Sequence, residues 1–231
     1  MRRCRSHARR VAPRSYDVRV TRAKICGITF REDAELAVEH GAWAIGLIRW
    51  PRSPRACDAP TAAEIVGALR RRVACVGVYV NPALDEIVAE AEQIGFSHLQ
   101  LHGDEGPAFC TEVARRTGCK VIKAAQVATA GDIRALEVFR TDFHLLDAAA
   151  GAMRGGSGRT WEWGLLADRR SKVPLILSGG LGPDNVAEAI AAAHPWAVDS
   201  ASGTESAPGV KDPEKVRRFL EIAAADGAAV V

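Results

Sequence analysis

From residue 23 onward, short apolar runs rich in Val, Ile and Leu alternate with longer segments whose apolar positions recur at helical spacing. That alternation is the pattern of repeated strand–helix units and of a parallel sheet buried on both faces. The runs predict strands at Ala23–Ile28, Trp43–Ile48, Val73–Val78, Ser97–Leu101, Cys119–Ala124, Phe143–Leu146, Val173–Leu177 and Trp196–Val198. Helices are predicted between them, among others at Arg31–His40, Thr61–Arg71, Pro82–Ile94 and Pro183–Ala193. Pro82 and Pro183 fit a first helical position, Asn81 offers a capping side chain, and Gly41 and Gly95 suit helix stops. Eight strands in order with right-handed crossovers close most simply into a single (β/α)8 TIM barrel of the α/β class, and 231 residues suit that fold. No GxGxxG follows the first strand, which disfavours a dinucleotide-binding sheet.

A barrel carries its active site at the C-terminal ends of its strands, so the residues that follow each apolar run are the ones to inspect. Cys26 shares strand parity with Lys24, and if that side is the lumen the thiol sits at its mouth. Residue type and position leave two readings of Cys26 open, packing filler and proton-transfer base. Asp147 ends the run FHLL with the parity of Leu145 and Phe143, which reads either as a loop cap or as a buried acid whose burial favours the protonated form. The turns GGSG at 155–158 and SGGLG at 178–182 offer backbone N–H groups to an anion, and with SASG after the eighth strand they point to a phosphorylated substrate. Arg55, in the polar loop after the second strand, reads as a solvated surface residue or as a bidentate partner for a carboxylate.

Composition narrows the class. With 48% hydrophobic and 26% charged residues the chain can bury a large core, and no run approaches the ~18 apolar residues of a membrane helix. The net charge of +3 misleads, because the first 22 residues carry eight Arg against one acid; that segment holds +7 and the remainder about −4, which gives no case for nucleic-acid binding by the body. The expected organisation is a basic, flexible extension over 1–22, a catalytic barrel over 23–225 and a tail over 226–231. An organelle transit peptide is the other reading of the extension. The six Cys show no CxxC pair and no metal-ligand spacing, so reduced thiols in a cytoplasmic protein are expected, with Cys75 and Cys119 as buried filler.

Taken in order, KICGIT, SPR, GVYVNP, LQLHGDE, GGSG, SGGL and SG-x-E-x-x-PG-x-KD resemble the phosphoribosylanthranilate isomerase family from residue 23 to about 224. The resemblance implies an isomerase of tryptophan biosynthesis, part of aromatic amino-acid biosynthesis, that needs no cofactor or metal and turns an aminoaldose phosphate into an aminoketose phosphate by an Amadori rearrangement. It implies that Asp147 is the general acid and Cys26 the general base. It further implies that Arg55 holds the anthranilate carboxylate, that backbone amides near Gly156, Gly179, Gly180, Ser202 and Gly203 hold the phosphate, and that Gln100, His102 and Asp199 line the site. The partner is then a small phosphorylated substrate, with the chain a monomer or homodimer. Two positions depart from the family pattern: Ile48-Arg49 replaces aromatic residues after strand 2, and Ala201 replaces a Ser in the last signature. The related histidine-pathway isomerase, which has a carboxylate in place of the first-strand Cys, and a non-catalytic phosphate-binding barrel are the alternatives; Cys26 argues against the first and the pair Cys26 and Asp147 against the second.

Overall fold

The structure, a computed structural model, describes residues 21–148, 165–166 and 169–225. The basic extension up to residue 20, the GGSG turn with Gly156 and the tail after 225 lie outside the described residues.

Eight parallel strands form a closed barrel in sequence order: β1 (Arg22–Cys26), β2 (Ala44–Ile48), β3 (Ala74–Tyr79), β4 (His98–Leu101), β5 (Lys120–Val127), β6 (Phe143–Ala148), β7 (Leu175–Ser178) and β8 (Ala197–Ser200). The sheet closes where β1 pairs with β8 in the register Lys24 with Asp199 and Ile25 with Ser200. Helices α1 (Arg31–Glu39), α2 (Ala59–Leu69), α3 (Leu84–Ile94), α4 (Pro107–Thr117), α5 (Ala130–Ala135), α6 (Val186–Ala193) and α7 (Pro213–Ala225) cover the outside. A short hairpin, β9 (Glu205–Ala207) with β10 (Val210–Lys211), follows β8 and was not foreseen from the sequence. Among the described residues no helix is long and apolar enough to cross a membrane.

Strand parity divides the core in two. Ile25, Ile45, Leu47, Cys75, Leu99, Val121 and Leu177 face outward and pack under the helices, while Cys26, Ala44, Val76, Val78, Ile122, Ala124, Leu145, Ile176 and Ala197 fill the lumen. Most strands are therefore apolar on both faces, which explains the continuous runs in the sequence, while His98 and Gln100 of β4, Lys24 of β1 and Asp199 of β8 are buried polar exceptions. At the N-terminal strand ends, Trp43, Phe143, His98 and Trp196 close the floor, Trp43 meeting Trp196 edge-on with centroids 4.8 Å apart. The site is thereby confined to the opposite end.

The helix boundaries correct three expectations. Pro82 and Pro183 lie ahead of their helices, since α3 is preceded by Ala83 and α6 by Asn185 at the cap position. Asn81, at φ +50°, does not cap α3; its side-chain oxygen accepts from the Asp104 amide at 2.7 Å and ties the loop after β3 to the loop after β4. Elsewhere the expected chemistry appears at other residues: Asp58 caps α2 by accepting from the Thr61 amide at 2.8 Å, and Pro60 and Pro107 occupy first-turn positions of α2 and α4. Gly41 and Gly95 adopt left-handed φ values of +85° and +82° just after α1 and α3, as helix stops do. The barrel also begins at Arg22, one residue inside the segment assigned to the extension.

Candidate active site

Cys26 is the last residue of β1, faces the lumen and is 5% exposed. Its room comes from β2: a Cβ added at Gly46, its register partner, would lie 2.7 Å from Cys26 Sγ and 3.2 Å from Lys24 Cε. One layer below, Lys24 is fully buried, and its Nζ donates to Asp199 Oδ1 at 2.9 Å; the second Asp199 oxygen accepts from Ser178 Oγ at 3.2 Å. Burial alone would lower Lys24, but Asp199 and Cys26 outweigh it and hold the ammonium above its ordinary value. Burial pushes the Cys26 thiol up; Lys24 works against that rise, Asp199 adds to it, and Lys211 opposes it more weakly.

A second layer of charge closes over the thiol from the hairpin. Arg55 meets Glu205 as a fork, Nε to Oε1 at 2.7 Å and Nη2 to Oε2 at 2.8 Å. Lys211 Nζ donates to the same Glu205 at 3.2 Å and to the Ala201 carbonyl at 2.8 Å. Burial would raise Glu205, but its hydrogen bonds to Arg55 and the charge of Lys211 outweigh it and hold the carboxyl below its usual range. Gly27, at φ +74°, leaves space for this arm, since a Cβ there would lie 2.8 Å from Arg55 Cδ. Two of the five guanidinium N–H bonds point to Glu205, and three remain for an anion at the mouth.

Asp147 stands near the end of β6, three strands around the barrel from β1. It differs from the expected buried acid: its side chain is 27% exposed, and its Oδ2 lies 3.3 Å from His102 Nε2. His102 Nδ1 in turn contacts Gln100 Nε2 at 3.1 Å, so a line of polar atoms runs from β4 across to β6.

The loops after β7 and β8 are laced together at glycine. Gly179 and Gly180 have φ of +96° and +66°, and a Cβ at Gly203 would fall 2.0 Å from the Leu181 carbonyl oxygen, so only glycine permits this approach. Ser200 Oγ donates to that same carbonyl at 2.6 Å. Ser202 and Gly203 open a 3-10 turn beside the SGGLG segment, which brings four of the expected phosphate-holding positions to one corner.

Two expectations change. Asp199, expected in the site wall, is buried one layer down and occupied by Lys24 and Ser178. Ala201 contributes through its backbone, its carbonyl accepting from Lys211 Nζ and from Thr204 Oγ1 at 3.0 Å, so the missing hydroxyl at that position leaves the turn intact. Arg49, the other departure, is drawn away from the mouth to Glu90 of α3 at 2.6 Å. Lys24, Glu205 and Lys211 were not singled out from sequence. A Lys at an inward position of an apolar strand was the available signal, since a buried charge requires a partner.

A thiol and a carboxylate at the mouth of a closed parallel barrel, beside tight glycine loops after β7 and β8, are the arrangement of a (β/α)8-barrel enzyme site. Comparison with known proteins gives the particular family. Residues 23–222 match the family described as N-(5'phosphoribosyl)anthranilate (PRA) isomerase, and the chain belongs to it. The protein is accordingly an enzyme, an isomerase of tryptophan biosynthesis. It is 45% identical over 202 residues to N-(5'-phosphoribosyl)anthranilate isomerase of Geotalea uraniireducens, covering 87% of this chain and 98% of that one. Among solved structures it is similar to monomers generated from the dimeric Thermotoga maritima enzyme (36% identity, TM-score 0.77, 88% of this chain and 98% of that chain). It is also similar to a phosphoribosyl anthranilate isomerase in complex with reduced 1-(o-carboxyphenylamino)-1-deoxyribulose 5-phosphate (37% identity, TM-score 0.75, 88% and 98%).

Proposed function

We propose that this chain converts N-(5-phosphoribosyl)anthranilate into 1-(2-carboxyphenylamino)-1-deoxyribulose 5-phosphate, with Asp147 as general acid and Cys26 as general base. The observation that carries the assignment is the placement of both groups on lumen-facing positions at the C-terminal ends of β1 and β6, three strands apart, so that a furanose ring between them meets a donor and an acceptor. Asp147 protonates the ring oxygen and opens the sugar to a protonated Schiff base. Cys26, as thiolate, removes the C2 proton; the electrons of that bond form the enolamine, which tautomerises to the ketone. Proton transfers alone complete the reaction, so no metal or cofactor enters the scheme.

Binding follows the same division. Amides around Gly179, Gly180, Ser202 and Gly203 receive the phosphate, joined by Gly156 from outside the described residues. Arg55, preset by Glu205, turns its remaining N–H bonds to the anthranilate carboxylate, while Gln100 and His102 line the acid's side of the pocket. The acting unit is a cytoplasmic monomer or homodimer. Incubating the purified protein with N-(5-phosphoribosyl)anthranilate and following the loss of anthranilate fluorescence tests the reading; a folded sample without turnover overturns it.

A further inference from the structure

Lys24 is a buried titratable group that the scheme above does not use. It lies wholly inside the barrel, held by the buried carboxylate of Asp199, whose other oxygen accepts from the half-buried Ser178 hydroxyl. Such a pair is not explained by stability, because a buried ion pair is commonly matched or exceeded by apolar residues of similar volume. Its geometry offers another reason. The space vacated by Gly46 is bounded by Cys26 Sγ and by Lys24 Cε together, so the lysine stem runs directly beneath the thiol. The other charged groups around the thiol are Asp199 from β8, Arg55 from the loop after β2, and Lys211 from β10, the last two already engaged by Glu205.

We propose that Lys24 is a positioning residue for Cys26: its ammonium, fixed by Asp199, supplies the counter-charge that lets a thiol buried in the barrel lose its proton. The inference rests on the reading of Cys26 as base. A thiolate 5% exposed has little water to solvate it, and burial works against the charged form. An ammonium in the layer below replaces that solvation without approaching the substrate. Asp199 has two effects: it keeps Lys24 charged and in place, and it opposes the thiolate at longer reach. Gly46 belongs to the same device, because a side chain there would part the two groups.

The test is a titration of Cys26 in the whole protein, read by ultraviolet thiolate absorbance as the difference between each form and its Cys26→Ser counterpart. Lys24→Met removes the ammonium but leaves Asp199 uncompensated and can unfold the chain. The double variant Lys24→Met with Asp199→Asn removes both charges at nearly constant volume and preserves a neutral core. In the folded variant the thiol midpoint should rise by about one unit or more, and turnover near neutrality should fall by about tenfold or more. That loss should shrink as pH is raised through the new midpoint, a recovery that a packing defect does not give. An unmoved midpoint in the folded double variant, or a loss of turnover constant with pH, overturns the proposal. A midpoint that moves while turnover stays unchanged upholds the role of Lys24 toward the thiol and instead removes Cys26 as the base.

Discussion

The two corners of the barrel to which proton transfer is proposed are built on different principles. At β1, Cys26 sits in a dry layer between fixed charges, with Lys24 and Asp199 below and Lys211, Glu205 and Arg55 above. At β6, Asp147 stands at a half-open rim with His102 as its polar neighbour. A base that must become an anion inside the barrel needs counter-charge in place before substrate arrives, because reorganisation at that depth is costly. The carboxyl at the rim has an imidazole and solvent beside it instead. The comparison predicts that charge substitutions at the β1 corner disturb both stability and chemistry, and that those at the β6 corner disturb chemistry almost alone.

The largest expected effect lies at the rim. Asp147→Asn should lower kcat by ~10²- to 10⁴-fold, the usual contribution of a positioned acid, with little change in melting temperature. Steady-state kinetics and a thermal melt on the same sample check both halves. If stability falls as far as activity, the two corners are not different in kind.

Asp199→Asn should give the opposite balance in folding. It leaves the Lys24 ammonium buried without its carboxylate, a loss of about 3–5 kcal/mol that denaturant unfolding would register. Gly46→Ala should be smaller, about 1–3 kcal/mol of overpacking, and should lower kcat by displacing the thiol. A variant of unchanged activity would show that Cys26 tolerates relocation. The smallest structural effect at this corner is expected from Arg55→Ala, the more accessible partner of the fork, whose loss leaves Glu205 still paired with Lys211. There KM should rise more than kcat falls, as for an interaction made equally with ground and transition states. An unchanged KM would remove the carboxylate assignment.

Much of this was legible in the chain before folding. The eight strands were, because most are apolar on both faces and give a nearly unbroken run. The strand-end positions of Cys26 and Asp147 were too, because parity is a local property, whereas their roles as base and acid came from the resemblance alone. The helix starts at Pro82 and Pro183 were misplaced because a proline is equally at home in the turn ahead of a helix, and Asn81 was taken by the loop after the next strand, 23 positions along the chain. The buried charges were hidden for a related reason. Lys24 meets Asp199 175 positions along the chain, and Arg55 meets Glu205 across 150, so their pairing exists only once β1 closes on β8. The hairpin β9–β10 went unseen because its strands are too short to carry a period of two.

The central claim is that the thiol at the end of β1 takes the sugar proton, and the most direct measurement is turnover of N-(5-phosphoribosyl)anthranilate by Cys26→Ala, with folding verified by a thermal melt. The account predicts a folded protein whose kcat is lower by ~10²- to 10⁴-fold. Turnover close to that of the unaltered chain would contradict it.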